Sequence, residues 1–210
     1  MSILPRINVQ YLDHLLVDKC LQIKPASFYE NIPQQHLTVW CHTHGIYGLP
    51  TVELINWLQF EIQTSKTIEI GAGSGAIGRK LGIPITDSCM MKRPEVMTLY
   101  LMQGQPITHY PNDIIELDAV NAVDKYKPEI VIGCWVTHLY NEAEHWRGGN
   151  MFGINEEYIL SKVKKYIVIG HEDVHSKKPI LDRNYKTFKF PWLYSRSLNT
   201  TGNLIYVWEN

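Results

Sequence analysis

Short apolar runs alternate with helical periodicities along most of the chain after residue 65. Runs with the length and composition of buried strands are predicted at residues 67–70, 83–87, 114–118, 129–134 and 166–170. Helices are predicted between them at residues 76–81, 94–103, 119–126 and 156–165. This alternation is typical of an α/β domain in which helices cover a mostly parallel sheet.

Two further β-like runs, Lys186–Phe190 and Leu204–Trp208, follow the last of these elements. A turn-rich segment with Asn199, Gly202 and Asn203 joins them, so they predict an antiparallel pair at an edge of the sheet. Residues 66–210 are therefore predicted to form a doubly wound, mostly parallel sheet with an antiparallel C-terminal edge pair.

The first 65 residues carry a different pattern. The apolar spacing over residues 9–22 predicts an amphipathic helix, and residues 51–64 predict a second helix with Pro50 near its start. Residues 23–50 contain several prolines and glycines and are predicted to be a loop. We therefore expect residues 1–65 to form an N-terminal helical cap on the sheet domain, within a single globular unit.

Composition narrows the class of protein. Apolar residues make up 45% of the 210 residues and charged residues 20%, with a formal net charge of −1, which is ordinary globular usage. A charge so close to zero gives no strong signal for binding to nucleic acid or to a membrane surface.

The remaining compositional features point to a cytoplasmic protein. The four cysteines are scattered without a CxxC spacing, which favours reduced thiols. The N-terminus lacks the apolar core of a signal peptide, and no apolar run approaches the roughly 18 residues of a membrane span.

A glycine-rich turn follows the first predicted strand of the domain. Gly71, Gly73 and Gly75 alternate with small residues between that strand and a helix. Glycines allow a sharp turn and let a ligand approach the backbone, so the turn predicts a nucleotide-like cofactor. The spacing from Gly73 to Gly78 also fits the dinucleotide pattern GxGxxG, which keeps an NAD- or FAD-dependent oxidoreductase open.

Acidic residues stand at three related positions. Glu69 precedes Gly71 by two residues, and Asp87 and Asp118 end the next two predicted strands. The carboxyl ends of parallel strands line the binding crevice of a doubly wound sheet. Carboxylates in such a crevice accept hydrogen bonds from ribose hydroxyls and from an exocyclic amine.

With these motifs the chain resembles the class I S-adenosylmethionine-dependent methyltransferases over roughly residues 65–210. The resemblance implies that the motif from Glu69 through Gly71, Ala72 and Gly73 to Gly75 approaches the cofactor, S-adenosyl-L-methionine. It further implies that Asp87 takes the place of the ribose-binding acid. Asp118 and Ala119 take the place of the acid near the adenine amine, and the end of the strand over residues 129–134 faces the methyl group.

The segment after that strand, from Cys134 through Trp135 to His138, departs from the best-defined family signatures. It is neither the Asn/Asp-Pro-Pro-Tyr/Phe of amino-methylating nucleic-acid enzymes nor the Pro-Cys of cytosine-C5 enzymes. This argues against those two DNA methyltransferase groups and keeps open a protein that binds the cofactor without methyl transfer. The acceptor is not identified, with a small molecule favoured.

Trp135 and His138 are the candidates at the acceptor end. Trp135 either stacks on an adenine or substrate ring, as a cofactor-binding residue, or packs in the core. His138 is the candidate general base, because an imidazole titrates near neutral pH; the alternative is a polar loop histidine.

Other histidines form two groups. His42 and His44 lie on the predicted loop, where we favour a lid over the cleft, together with Tyr47, rather than a metal site. The segment from His171 to His175 follows the fifth strand and is predicted to be a solvated loop, with its titratable residues as secondary site candidates. Arg147–Asn150 is predicted to be a flexible substrate loop.

Overall fold

The computed structural model describes residues 7–210. The expectation that the N-terminus lacks a signal peptide concerns mainly residues 1–6 and therefore lies outside the described residues. None of the helices in residues 7–210 is long and apolar enough to cross a membrane.

Short helices and short strands alternate in the N-terminal part. Its strands are β1 (Leu16–Val17), β2 (Cys20–Leu21) and β3 (Gly48–Leu49). Its α-helices are α1 (Ala26–Tyr29), α2 (Gln34–His44) and α3 (Val52–Ile62).

The single helix predicted over residues 9–22 is wrong. A 3-10 helix over Gln10–Leu15 is followed by the antiparallel hairpin of β1 and β2. Both turn residues, Asp18 and Lys19, have positive φ, which reverses the chain within two residues. Two of the apolar residues whose spacing suggested a long helix, Leu12 and Leu15, are buried by the short 3-10 helix instead.

The loop predicted over residues 23–50 is also wrong, because most of its length is occupied by α1 and α2. Pro33 lies at the N-cap of α2 and Gly45, with φ of 65°, ends the helix in the left-handed conformation. The residues that suggested a loop therefore mark the two ends of a helix. Its buried face includes Leu37, Trp40 and Cys41, at the i, i+3, i+4 spacing of an amphipathic helix.

The structure confirms the helix predicted over residues 51–64, which is α3. The Thr51 hydroxyl accepts a hydrogen bond from the Leu54 N–H at 3.2 Å and caps the helix. Its buried face then packs against the sheet, so α3 forms part of the layered core as well as of the N-terminal segment.

The remaining elements follow in the predicted alternation. The strands are β4 (Thr67–Ile70), β5 (Thr86–Asp87), β6 (Ile115–Glu116), β7 (Ile130–Cys134), β8 (Lys165–His171), β9 (Lys186–Phe188), β10 (Tyr194–Ser195) and β11 (Asn203–Glu209). The helices are α4 (Ala76–Leu81), α5 (Pro94–Met102), α6 (Ala119–Tyr126), α7 (Glu156–Lys162) and α8 (Glu172–His175).

The main sheet has the order β4-β7-β8-β11-β9. Strands β4, β7 and β8 are parallel, and β11 runs antiparallel to both β8 and β9. The parallel pair of β5 and β6 continues the sheet beyond β4 through a bridge between Glu69 and Ile85. The fold is thus α/β with a mixed, mostly parallel sheet, and the predicted antiparallel C-terminal pair is confirmed, although β11 lies inside the sheet.

Both faces of the sheet are covered, which explains why the central strands are continuous apolar runs. Along β8, Tyr166 and Val168 face the core beneath α6 and α7. The alternate residues Ile167 and Ile169 face the core beneath α3. Helix α3 therefore supplies a layer of the sandwich, and the carboxyl ends of β4, β5 and β7 are left to form a site at one edge.

Candidate functional site

The turn between β4 and α4 is made of left-handed glycines. Gly71, Gly73 and Gly75 have φ of 55°, 54° and 65°. A Cβ on Gly71 would lie 2.8 Å from Val136 Cγ1, and one on Gly75 would lie 2.6 Å from Ile114 Cδ1. These two glycines are required by protein packing. A Cβ on Gly73 would meet only Thr108 Cγ2, at 3.7 Å, so Gly73 is the glycine with open space beside it.

The side chain of Glu69 connects β4 to the start of α4, across the glycine turn. Its side chain is 1% exposed, and its Oε2 accepts a hydrogen bond from the Gly78 N–H at 2.7 Å, inside the first turn of α4. Burial is the largest influence on this carboxyl and raises its pKa to about 8. Glu69 thus fixes the start of α4 against β4.

Asp87 connects the turn to the end of β5. Its two carboxylate oxygens accept hydrogen bonds from the Gly73 N–H at 2.9 Å and the Cys89 N–H at 2.8 Å. Burial raises the pKa of Asp87, and these two N–H donors oppose that shift. Because each carboxylate oxygen has a second lone pair, Asp87 keeps the capacity to accept a hydrogen bond from a ligand.

Asp118 lies at the N-cap of α6, where its Oδ1 accepts a hydrogen bond from the Asn121 N–H at 3.1 Å. Ala119 is the first residue of that helix. Asp118 therefore caps a helix as well as facing a cleft, which the sequence did not predict.

One cleft brings most of the predicted cofactor residues together. They line it with other residues of the strand ends, namely Glu69, Gly71, Ala72, Gly73, Asp87, Asp118, Ala119 and Trp135. Gly75 is the predicted residue that does not line it, because it is turned into the protein at the N-cap of α4.

The cleft has further walls, and two of their residues belong to segments that the sequence placed near it: Tyr47 in the predicted lid and Asn150 in the predicted substrate loop. The segment from Gly45 to Gly48 and Pro50 forms one wall, and a side chain on Gly48 would meet Cys134 Sγ at 2.8 Å. Tyr100, Asn150 and several neighbours form another, and the Asn150 amide donates a hydrogen bond to the Tyr100 hydroxyl at 2.7 Å. Apart from Tyr47 and Asn150, the residues of these walls come from segments that carry no motif, so only the folded chain identifies them. The further members of the wall include Ser88, Met90, Met91, Thr108, Tyr110, Phe152, Gly153 and Ile154.

Trp135 stands where β7 ends and has φ of 57°. A bulky residue in the left-handed region is strained, and such strain is often found at functional sites. The Trp135 ring centroid lies 6.2 Å from that of Tyr47 and 5.6 Å from that of His175. The indole is only 9% exposed and forms a wall of the cleft.

His138 does not line this cleft. Its Nε2 is buried and has no hydrogen-bond partner in the described chain, and a Cβ on Gly149 would lie 2.9 Å from it. Burial, followed by the charge of Lys178, lowers the pKa of His138, so its imidazole is neutral at pH 7. The geometry therefore separates His138 from the predicted cofactor residues, although Thr137 beside it does line the cleft.

His42 and His44 lie in the last turn of α2, which corrects their predicted place on a loop. His42 Nε2 is 3.1 Å from the Gly104 carbonyl oxygen, and His44 Nε2 is 3.2 Å from Asp13 Oδ1. Among residues 7–210 no group of three or more histidine, cysteine and acidic side chains is arranged to hold a metal ion. Of this predicted lid, Tyr47 is the residue on the cleft.

The solvated loop predicted at residues 171–175 is wrong. His171 ends β8 and the short helix α8 follows it, with His171 and His175 both buried. The His171 N–H donates to His175 Nδ1 at 2.9 Å, and burial is the largest cause that lowers the pKa of His175 to about 3. The predicted substrate loop at residues 147–150 is anchored at its start, because the Arg147 guanidinium forms an ion pair with the Asp182 carboxylate at 2.6 Å.

Comparison with known proteins identifies no family. No protein-family model matches the chain, and no curated protein matches it. Among solved structures, the crystal structure of Thermoplasma acidophilum 1320 aligns with 85% of this chain and 97% of that one. The identity is 10% and the TM-score 0.38, which is too distant for a functional inference.

Proposed function

We propose that the protein binds S-adenosyl-L-methionine in this cleft and transfers its methyl group to an acceptor at the Trp135 end. The observation that carries the proposal is the arrangement around Gly73. Its Cα borders open space, and its N–H is held by Asp87. Glu69 and Asp118 line the same cleft, which gives it three acidic side chains with Asp87.

The donors and acceptors present fit such a cofactor. Gly73 lets the ligand approach the backbone without a Cβ in the way. Asp87 has free lone pairs for ribose hydroxyls. Both oxygens of Asp118 accept hydrogen bonds from Asn121, so an exocyclic amine would use the second lone pair of one of them. The three acids on successive strand ends, and the antiparallel β11 beside β8, support this cofactor over a dinucleotide.

The residues of the chain would act mainly by placement. When bound, the cofactor supplies a methyl group already activated on a sulfonium, and an in-line displacement needs orientation more than further activation. The walls formed by Tyr47 and Trp135 would exclude water and orient the acceptor near the end of β7.

The groups on the cleft wall at this end are poor bases at neutral pH. Burial raises the pKa of Cys134, Tyr47 and Tyr100, so all three stay protonated. No histidine of the described chain lines the cleft. His138, the general base that the sequence suggested, therefore loses its geometric support, and an acceptor that is already nucleophilic without deprotonation by the protein fits better.

Calorimetry tests the cofactor assignment. We expect purified protein to bind S-adenosylmethionine and its demethylated product, and to bind NAD more weakly. Preferential binding of NAD would favour the oxidoreductase alternative.

A screen of small-molecule acceptors with methyl-labelled donor then tests transfer. Transfer of the labelled methyl group to an acceptor would support methyltransferase activity. Tight cofactor binding with no label in any acceptor would favour a binding protein that does not transfer the methyl group.

A further inference from the structure

Helix α5 and the segment after it connect two walls of the cleft. The Tyr100 hydroxyl of α5 accepts a hydrogen bond at 2.7 Å from the side-chain amide of Asn150, which lies in the segment between β7 and α7. After the helix, the Thr108 hydroxyl donates to the Gly45 carbonyl oxygen at 3.2 Å, on the N-terminal wall. All four residues line the cleft, so a movement of α5 changes its width.

Few contacts hold α5 in this position. Of its nine residues Val96 alone is buried, whereas α7 buries three residues of seven. Leu101 and Met102 of α5 are 61% and 82% exposed. Among residues 7–210, the bond from Asn150 is the only hydrogen bond that joins α5 to the chain beyond residues 93–105. A helix with so few buried contacts opens locally at a low cost in free energy.

The Asn150 side of this bond is fixed. Its Oδ1 accepts a hydrogen bond from the Phe152 N–H at 2.8 Å, which identifies the amide nitrogen as the group that faces Tyr100. The Asn150 N–H donates to the His138 carbonyl oxygen at 3.0 Å, and the Asn150 carbonyl oxygen accepts from the Tyr140 N–H at 2.9 Å. Asn150 is therefore the anchored partner, and α5 is the partner that is free to move.

The cleft is narrow for the ligands of the proposed function. Its volume is about 230 Å³. Pockets that bury a drug-sized ligand measure roughly 300–1,000 Å³. S-adenosylmethionine is a ligand of that size, and an acceptor adds to it. The cleft therefore has to widen before both are admitted.

We propose that α5 is a lid over the cleft and that the hydrogen bond from Asn150 to Tyr100 is the latch that holds it closed. Release of this bond frees the helix to move away from Asn150 and widens the cleft. Its re-formation over a bound ligand excludes water from the site. The identity of the ligand rests on the proposed function, whereas the latch depends only on contacts within the folded chain.

Hydrogen exchange of the ligand-free protein tests the latch. Exchange is followed in peptides that cover α5 and, as an internal reference, α7. Tyr100→Phe removes the hydroxyl and keeps the ring, and Asn150→Ala removes the donor. Asn150→Asp keeps one oxygen for the Phe152 N–H and offers the other to the Tyr100 hydroxyl, which then donates. The control is Tyr140→Phe, because Tyr140 is an exposed phenol that does not line the cleft.

We expect Tyr100→Phe and Asn150→Ala each to speed exchange in α5 by about 2- to 10-fold, the range for one intramolecular hydrogen bond. Exchange in α7 should stay unchanged, and Asn150→Asp and Tyr140→Phe should match the wild type. Adding Tyr100→Phe to Asn150→Ala should give no further increase, because both changes break the same bond. Wild-type exchange in α5 of Tyr100→Phe, or equal increases in α5 and α7, would overturn the inference.

Stopped-flow tryptophan fluorescence with S-adenosylhomocysteine tests the lid. In Tyr100→Phe we expect both the association and the dissociation rate constants to rise by about 2- to 10-fold, with a smaller change in Kd, because the open state is more populated. Faster dissociation with unchanged association would mean that Tyr100 contacts the ligand directly, and it would overturn the lid. If the wild type does not bind S-adenosylhomocysteine, the proposed function loses its support, and the exchange measurements still decide the latch.

Discussion

At the residue scale, the glycines of the turn differ in what a side chain would meet. Gly71 and Gly75 are crowded by the protein itself, whereas Gly73 borders the open cleft. A substitution at Gly73 therefore probes the ligand more than the packing. Gly82 ends α4 with φ of 69°, and a Cβ there would have no other atom within 4 Å. It offers the same backbone conformation away from the cleft.

We predict that Gly73→Ala and Gly82→Ala each destabilise the protein by about 1–2 kcal/mol, because both place a Cβ on a left-handed residue. Only Gly73→Ala should also weaken binding of S-adenosylmethionine. Chemical denaturation gives the free energy of unfolding, and calorimetry gives the affinity. Equal affinities in the two variants would show that the turn does not contact the ligand.

Glu69 should make stability depend on pH. Its pKa of about 8 in the folded protein exceeds the ordinary value of 4.5, so the folded state keeps a proton that the unfolded state releases. The contribution of Glu69 to the free energy of unfolding is therefore fully present below pH 4.5. It is lost as the pH rises towards 8, and the free energy of unfolding falls by up to about 1.4 kcal/mol per pH unit.

Glu69→Gln retains an oxygen for the Gly78 N–H but does not titrate. We predict that the free energy of unfolding of the wild type falls relative to that of Glu69→Gln between pH 5 and 8. Denaturation curves at several pH values measure this difference, in which the other titrating groups cancel. Parallel pH profiles for the two proteins would mean that Glu69 is ionised when folded.

At the element scale, local signals identify helices whose caps are made by neighbouring residues. Thr51 before α3 and Asn155 before α7 both accept a hydrogen bond from the third helical N–H. The starts of these helices were predictable because an N-cap needs only nearby atoms, whereas both helices end two to three residues earlier than predicted. Asp118 before α6 belongs to the same class, which complicates its use as a ligand residue.

Two substitutions separate these roles of Asp118. Asp118→Ala should destabilise the protein by about 0.5–2 kcal/mol through loss of the cap, whereas Asp118→Asn keeps a capping oxygen and should be close to neutral. Both should weaken binding of adenosine, by about 1–3 kcal/mol, because the acceptor for its amine is lost. Wild-type affinity for adenosine in Asp118→Asn would restrict Asp118 to its capping role.

At the scale of the whole molecule, the N-terminal segment is part of the sheet domain. Helix α3 covers one face of the sheet, and β3 pairs with β10, which joins the beginning of the described chain to its C-terminal part. The cleft depends on the same connection, since Tyr47 directly precedes β3, Gly48 is the first residue of β3, and both line the cleft. We therefore expect the two parts to unfold together.

Leu58 and Phe60, two residues apart on α3, test this expectation. Leu58 is 0% exposed against the sheet, and Phe60 is 72% exposed. Leu58→Ala should lower the free energy of unfolding by about 2–5 kcal/mol in one cooperative transition, and Phe60→Ala should change it by less than about 0.5 kcal/mol. Circular dichroism in the far and near ultraviolet follows the transition. Two separate transitions in Leu58→Ala would instead indicate an independent N-terminal unit.

The sequence by itself determined those parts whose signals are local. The apolar runs of β4, β7 and β8, the glycines around α4, and the start of α7 are all decided by residues within a few positions of one another. They were sufficient to predict the α/β class and the residues of the glycine turn.

Tertiary structure decided the rest, because it depends on contacts between distant residues. Helix α2 was not predicted, because the prolines and glycines that flank it are typical of a loop. Its buried face is stabilised by packing against distant parts of the N-terminal core. His138 stands close to a strand end in sequence, yet the fold buries it away from the cleft. Arg196 carries no sequence motif, and only the pairing of β3 with β10 brings its guanidinium against the Tyr47 ring.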